Sequence, residues 1–341
     1  MKALLIKMSS MGDVVHALPA VTDAAQAGVR FDWVVEEAFA AIPRLHADVE
    51  RVVTIGWRRW RRDLWSSRRE LKHFFRNLRA TEYDLVLDAQ GLLKSAVVLA
   101  SSRGLDKVGF DRPREPLAAS WYRRRIDVPT DQHAVDRQRQ LFANAFGYEL
   151  PQSLPRFGLA SNAEPGSRCL LLHGTTWASK QWPEAMWSDL AQKAHEAGMQ
   201  VVLPWGDSEE RQRAERIAEA GSAQVLDALS IERLIDELKK ARLVIGVDSG
   251  LTHLAGALGV ATVTIYGSTD NRLTGCRGES VLNLQAEFPC APCLSRVCRY
   301  QGEVQNWRDR PVAPACYSRL HPETVWNSAM ELLDARRVLH I

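Results

Sequence analysis

Along the first half of the chain, short apolar runs alternate with segments of helical periodicity. KALLIK (2–7), FDWVVE (31–36), RVVTI (51–55) and YDLVLDA (83–89) have the length and composition of strands, and residues 13–27 and 91–100 space their apolar positions as helices do. Strands alternating with helices predict a parallel sheet covered on both faces. The stretch LPQSLPRFGLASNAEPG (150–166) holds three prolines and two glycines with no period, the mark of a linker. The alternation then restarts with CLLLHG (169–174), QVVLPWG (200–206), AQVLD (223–227), LVIGVD (243–248) and ATVTIYG (261–267), with helical stretches at 183–197 and 231–241 among them. The pattern therefore predicts an α/β chain of two doubly wound domains, 1–150 and 167–325, joined by a linker at 151–166. A final helix over 326–341 is free to pack back on the N-terminal domain. Doubly wound sheets bind ligands beyond the carboxyl ends of their strands, so two such halves predict a shared site in the cleft between them.

Composition narrows the class. Of 341 residues, 46% are apolar and 25% charged, which excludes a disordered chain. No run approaches the roughly 20 apolar residues that span a bilayer. The opening MKALLIKMSSMGDVVHALPA lacks a basic leader and a cleavage site, so a cytoplasmic location is expected. The net charge of +3 is too mild to argue for nucleic acid by itself. Its distribution says more, because residues 57–79 carry eight arginines and one lysine against Asp63 and Glu70. Trp57, Trp60, Leu64, Leu71, Phe74 and Leu78 form an apolar stripe there, with Arg58, Arg59, Arg61, Arg62, Arg68 and Arg69 mostly elsewhere around the helix. A basic amphipathic helix with tryptophan suits a membrane surface or a polyanionic acceptor. A solvated face over core aromatics and a surface for single-stranded nucleic acid are the other readings. Four of the six cysteines, Cys290, Cys293, Cys298 and Cys316, follow C-x2-C-x4-C-x17-C. The second pair lacks the tight spacing of a zinc ribbon, so reduced structural or redox-sensitive thiols are expected rather than a metal site.

Four loops could carry chemistry. Ser9, Ser10, Met11 and Gly12 separate the first strand from a helix that opens with Asp13. Small residues let a ligand approach the backbone, and Asp13 is either a functional carboxylate or a cap answering the helix dipole. His173-Gly174-Thr175-Thr176, with Lys180 close behind, offers hydroxyls and a point charge suited to a diphosphate, although the spacing is not that of a P-loop. Asp248-Ser249-Gly250-Leu251-Thr252-His253 turns a strand into a helix whose free N–H groups suit an anion. Asp248 would repel a phosphate, and is expected to accept a sugar hydroxyl or organise the loop. Pro204-Trp205-Gly206 precedes Glu209 and Glu210, either of which could accept from a ribose or simply serve an acidic first helical turn.

In combination, KMSSMGDVVHALPA, HGTTWASKQWP, LPWGDSEE and VDSGLTHLAGALG resemble the bacterial lipopolysaccharide heptosyltransferases that use ADP-heptose, over residues 1 to about 275. The SSMGDVVHALPA opening resembles the heptosyltransferase I branch in particular. The resemblance implies a GT-B fold, two Rossmann-like domains facing across a cleft. It implies inverting, metal-independent transfer of L-glycero-D-manno-heptose from ADP-heptose to the first Kdo of Kdo2-lipid A, by a peripheral protein on the cytoplasmic face of the inner membrane. No cofactor, metal or nucleic acid is then required, in keeping with a chain that has no Asp-x-Asp. By this resemblance Asp13 is the catalytic base and Lys180 assists catalysis. Thr175, Thr176 and Lys180 meet the donor diphosphate, Glu210 (or Glu209) the ribose, and Leu229 the adenine. Asp248 meets a heptose hydroxyl, and Ser249, Gly250 and His253 lie around the phosphates. Ser10, Gly12, Arg58, Arg59, Arg61 and Arg62 fall where the family binds the anionic acceptor. The Cys-rich tail and the density of Arg and Trp in 57–79 depart from the common pattern.

Three other readings compete: transfer to a later core acceptor, epimerisation of a nucleotide sugar on the same fold, and nucleic-acid binding through residues 57–79.

Overall fold

A computed structural model describes residues 1–159 and 166–339. The chain divides into two compact units, Met1–Ala160 and Ser161–Ile341. Most of the predicted linker, residues 160–165, lies outside the described residues, as do 340 and 341.

The first unit holds strands β1 (Lys2–Ile6), β2 (Arg30–Glu36), β3 (Val49–Ile55), β4 (Glu82–Asp88), β5 (Arg103–Phe110) and β6 (Arg124–Ile126). Its α-helices are α1 (Met11–Gln26), α2 (Ala41–Arg44), α3 (Trp57–Trp60), α4 (Leu64–Arg79), α5 (Leu93–Ser101) and α6 (Ala134–Phe146). The sheet is parallel throughout, in the order β3-β2-β1-β4-β5-β6. In β1, Ala3, Leu4, Leu5 and Ile6 are fully buried because helices cover both faces of the sheet. Phe31 packs on Phe142 and Phe146 of α6, and a buried Arg139–Asp23 pair at 2.6 Å ties α6 to α1.

The second unit repeats the plan with β7 (Arg168–Leu172), β8 (Gln200–Leu203), β9 (Gln224–Val225), β10 (Ala241–Val247), β11 (Thr262–Tyr266) and β12 (Val281–Gln285). The small ribbon of β13 (Asn306–Trp307) and β14 (Arg310–Pro311) follows. Its α-helices are α7 (Glu184–Glu196), α8 (Ser208–Gly221), α9 (Ile231–Lys240), α10 (Gly250–Ala257), α11 (Asn271–Thr274) and α12 (Pro322–Leu339). The order β12-β11-β10-β7-β8-β9 is the order of the first sheet read from the other edge. Each unit is thus a Rossmann-type sheet whose strand order reverses at one point, β1/β4 in the first and β7/β10 in the second. Beyond the carboxyl ends at that point a crevice opens for ligands.

Two expectations are corrected. The final helix begins at Pro322, and its Val325, Ala329 and Leu333 enter the core of the second unit beside Trp182, Trp187 and Tyr317. The apolar face that the sequence left free for the N-terminal domain is used here. The predicted single helix over 57–79 is also two, α3 and α4. Asp63 interrupts it by accepting from the N–H groups of Trp65 and Ser66, both at 3.1 Å, which caps α4.

Candidate active site

In the first unit the residues after β1 and β4 meet at the switch point. Asp13, in the first turn of α1, turns its Oδ2 back to accept from the Ser10 N–H at 2.8 Å and the Ser10 hydroxyl at 2.7 Å. Its Oδ1 lies 3.6 Å from Nζ of Lys7, and the side chain remains 41% exposed. The capping role and a functional role therefore coexist, because the cap fixes one oxygen and leaves the carboxylate open to solvent. Burial pushes the Asp13 carboxyl up, but the Lys7 ammonium and the Ser10 donors outweigh it and bring it down to about 2.

Around Asp13 stand groups the sequence reading did not single out. Lys7 is buried at the end of an apolar strand and donates to the Ala89 carbonyl at 3.0 Å. Gln90 Oε1 accepts from the Met8 and Ser9 N–H groups at 3.0 and 3.1 Å, holding the loop. Lys94 Nζ donates to Ser9 Oγ at 2.8 Å. Glu36 is buried at the end of β2 and accepts from the Arg58 N–H at 2.9 Å; burial raises its carboxyl, with Arg58 and Lys94 opposing. A lysine closing a strand reads as an ordinary surface residue, and only the structure shows that Lys7 lies against the Asp13 carboxylate while Lys94 holds the Ser9 hydroxyl of the same loop.

The arginines divide. Arg58, Arg61 and Arg62 are exposed, and Arg58 lies over the Phe39 ring at 5.3 Å. Arg59 is committed elsewhere. Its guanidinium donates to Glu37 at 3.1 and 3.2 Å and to Glu70 at 3.1 and 2.7 Å. It ties α3 to α4 and to the turn after β2, so it has a bracing role beside the one expected of it. A cavity of about 660 Å³ opens beside it, lined by Arg51, Arg69, His73 and Asn77 among others.

In the second unit the loops after β7 and β10 meet in the same way. Asp248 is buried, with Oδ2 2.7 Å from Lys180 Nζ and Oδ1 3.2 Å from His253 Nε2. Thr269 Oγ1 adds a 2.7 Å hydrogen bond to Oδ2. Burial pushes the Asp248 carboxyl up, but His253 and Lys180 overcome this and hold it far below the carboxylate range. The same pairing, against burial, raises His253 to about 9. Asp248 thus organises the loop, the second of its two expected roles, and in this state both its oxygens are engaged. Lys180 also lies over the Trp177 ring at 4.5 Å. Thr175 Oγ1 donates to the Asp248 carbonyl at 3.4 Å, while Thr176 is exposed. Ser249 caps α10, accepting from the Thr252 N–H at 3.4 Å, and Gly250 opens that helix.

Glu210 reaches back toward the strand ends. Its Oε2 accepts from the Gly206 N–H at 2.8 Å, and a Cβ on Gly174 would strike its carboxylate. Glu209 is exposed on the same helical turn. Of the two carboxylates, Glu210 is the one that turns back over Gly206 and Gly174. Leu229 is half-buried just before α9. Thr269 went unnoticed in the sequence because it belongs to none of the motifs, and Ser179 because it sits inside HGTTWASKQWP beside the more conspicuous Lys180.

Two Rossmann-like units in one chain, each with its polar groups gathered at the switch point of its sheet, define a glycosyltransferase of the GT-B class. Residues 71–303 match the sequence profile of glycosyltransferase family 9 (heptosyltransferase). The chain is 46% identical to lipopolysaccharide heptosyltransferase 1 of Pseudomonas aeruginosa, over 99% of this chain and 100% of that one. Among solved structures it is similar to the Escherichia coli heptosyltransferase WaaC with ADP (TM-score 0.84, 38% identity, 97% of this chain and 100% of that one). It is similar also to WaaC with ADP-2-deoxy-2-fluoro heptose (TM-score 0.80, 37% identity, 97% and 99% coverage). The chain belongs to glycosyltransferase family 9 and is a heptosyltransferase. The epimerase and nucleic-acid readings give way to that membership.

Proposed function

We propose that this enzyme transfers L-glycero-D-manno-heptose from ADP-heptose to the first Kdo of Kdo2-lipid A, with inversion and with no divalent metal in the transfer step, during assembly of the lipopolysaccharide inner core. The observation that carries the mechanism is Asp13: a carboxylate held ionised by Lys7, oriented by Ser10 and still open to solvent. A sugar hydroxyl is a poor nucleophile at neutral pH. A fixed carboxylate within hydrogen-bond reach takes its proton as the new glycosidic bond forms at the anomeric carbon. The bond to ADP breaks, and the departing diphosphate gains charge. Lys180, the Thr175 and Thr176 hydroxyls and the N-terminus of α10 at Ser249 and Gly250 would stabilise that charge. Glu210 would accept from the ribose and Leu229 would line the adenine. Ser10, Gly12, Lys94, Arg58, Arg61 and Arg62 would meet the anionic acceptor. The relatives with ADP and an ADP-heptose analogue support the donor.

No described helix is long and apolar enough to cross a membrane. The exposed Leu64 and Trp65, beside the arginines of α3 and α4, support peripheral attachment to the anionic cytoplasmic face of the inner membrane.

The test is ADP release from ADP-heptose, with and without deacylated Kdo2-lipid A, under brief exposure to excess EDTA. Acceptor-dependent release is expected, with the anomeric configuration of the product, read by NMR, opposite to that of the donor; a retained configuration would overturn inversion. Release only with an acceptor that already bears heptose would move the enzyme to a later core step. Loss of release in EDTA, restored by a divalent ion, would overturn the metal-free transfer step.

A further inference from the structure

The carboxyl end of β4 holds a charged group that the transfer mechanism leaves unused. Asp88 is fully buried. Its Oδ1 accepts from the Gln90 and Gly91 N–H groups at 2.8 and 3.0 Å. Its Oδ2 accepts from the Tyr122 hydroxyl at 2.8 Å, and the Ser95 hydroxyl lies at the same distance. All of these partners are neutral. Burial raises the Asp88 carboxyl, and the donors oppose the rise. A carboxylate withdrawn from water is tolerated only when donors surround it. Here they come from three places: the turn after β4, helix α5, and Tyr122 just beyond the 3-10 turn Pro116–Trp121. The sheet makes room for the last of them. Gly109 is the β5 residue paired with Asp88, and a Cβ there would strike the Tyr122 ring.

What Asp88 fixes is the turn at 89–92, and that turn grips the loop after β1 residue by residue. The Ala89 carbonyl accepts from Lys7 Nζ at 3.0 Å. Gln90 Oε1 accepts from the Met8 N–H at 3.0 Å and the Ser9 N–H at 3.1 Å. Lys94, in the first turn of α5, donates to Ser9 Oγ at 2.8 Å. The next residue is Ser10, whose N–H and hydroxyl both hold Asp13 Oδ2. A continuous path of hydrogen bonds and backbone therefore runs from Tyr122 through Asp88 and Gln90 to Ser10 and Asp13. One side-chain oxygen, that of Gln90, satisfies two successive backbone donors; a hydrocarbon side chain has no acceptor to offer them. The printed partners of Asp88 and Gln90 do not include Asp13, so whatever they do for it passes through the loop.

We propose that Asp88 and Gln90 are positioning residues for sugar transfer: Asp88 sets the turn after β4, and Gln90 Oε1 then sets the Met8–Ser10 backbone that aims the Asp13 carboxylate. The inference rests on Asp13 as the base. A general base works only within hydrogen-bond reach of the proton it takes, and a displacement of about 1 Å can cost about a hundredfold in rate. The proposed ADP contacts lie in the second unit, so this loop governs turnover and leaves donor affinity alone.

The experiment is a double-mutant cycle on the full chain, with kinetics on ADP-heptose and deacylated Kdo2-lipid A and calorimetry with ADP. Gln90→Leu keeps a side chain of similar size without the accepting oxygen. Gln90 is half-buried at the end of the sheet, so this variant is expected to fold. Its kcat is expected to fall by about 10–100-fold, with the donor KM and the ADP Kd unchanged. Gln90→Glu restores an accepting oxygen and is expected to recover most of the loss. Tyr122→Phe keeps the ring against Gly109 and deletes only the hydroxyl on Asp88; it is expected to lower kcat several-fold, again with KM unchanged. In the Asp13→Asn background, Gln90→Leu is expected to cost little more, because groups that act as a unit are not additive. Wild-type kcat in Gln90→Leu would overturn the inference. So would a loss that Gln90→Glu does not recover, a loss of equal size in the Asp13→Asn background, or a matching loss of ADP affinity, which marks general disruption. Wild-type turnover in Asp13→Asn alone would overturn the base assignment instead.

Discussion

Asp13 and Asp248 are both carboxylates held ionised by a lysine, yet their surroundings fit them for different work. Asp13 keeps part of its surface open, whereas Asp248 is buried with both oxygens engaged. Asp13→Asn preserves the shape and the Ser10 contacts but removes the basic oxygen. Its kcat is expected to fall by about 10²–10⁴, the usual contribution of a general base, with ADP affinity unchanged by calorimetry. Wild-type turnover in that variant would remove Asp13 from the mechanism. The buried pair gives a pH signature. His253 rises to about 9 in the folded protein from an ordinary 6.5, so its stabilisation is fully present below pH 6.5 and is lost as pH rises through 9. The shift corresponds to on the order of 3 kcal/mol. Melting temperature measured across that range should fall in wild type and stay flatter in His253→Gln. Parallel curves would show that the histidine does not titrate there.

At the level of elements, the α3–α4 region separates bracing from binding. Trp60, Phe74 and Leu78 are buried, while Leu64 and Trp65 point outward and the Arg59 guanidinium is saturated by Glu37 and Glu70. Arg59→Ala should therefore lower the melting temperature. Arg61→Ala with Arg62→Ala should leave it unchanged, raise the acceptor KM and flatten its salt dependence, because attraction between exposed charges is screened. Leu64→Ser with Trp65→Ser should weaken sedimentation with anionic vesicles and spare turnover of a soluble, deacylated acceptor. Equal binding of wild type and variant to vesicles would refute this docking surface. The 57–79 stripe was legible in the sequence because its apolar spacing is helical; the break was not, since Asp63 reads as one more surface charge until it caps α4. β5 escaped notice because Asp106 and Lys107 interrupt its apolar run. In the second unit β7 to β11 were plain as short apolar runs, whereas the edge strand β12 escaped notice because Asn283 and Gln285 break its apolar run. The partners of Asp248 were invisible as a set, because Lys180, His253 and Thr269 come from three separate loops or helices.

On the scale of the molecule, each unit has a core of its own: one includes Leu4, Ile6 and Tyr83, the other Trp182, Trp187 and Tyr317. Two separable transitions are therefore expected in calorimetry. ADP should raise the one belonging to the second unit, where its proposed contacts lie, by about 2.7 kcal/mol at a hundredfold excess over Kd. A shift confined to the other transition would misplace the nucleotide. The two-unit plan was readable from the restart of the strand–helix alternation after the proline-rich stretch. The destination of the last helix was not, because an amphipathic face does not name its partner.

Gly174 and Glu210 carry a consequence for how such an enzyme can change over generations. A methyl group at 174 would meet only the far end of a flexible side chain, so Gly174→Ala should leave folding intact while pushing the Glu210 carboxylate aside. Once position 210 bears alanine, that methyl group meets nothing there, and the glycine is released from its constraint by this neighbour. The two positions are epistatic: the order in which they mutate decides whether the intermediate is impaired. With Glu210 in its proposed place at the ribose, a lineage altering its preference for the nucleotide's sugar would have an easier path through 210 first and 174 second.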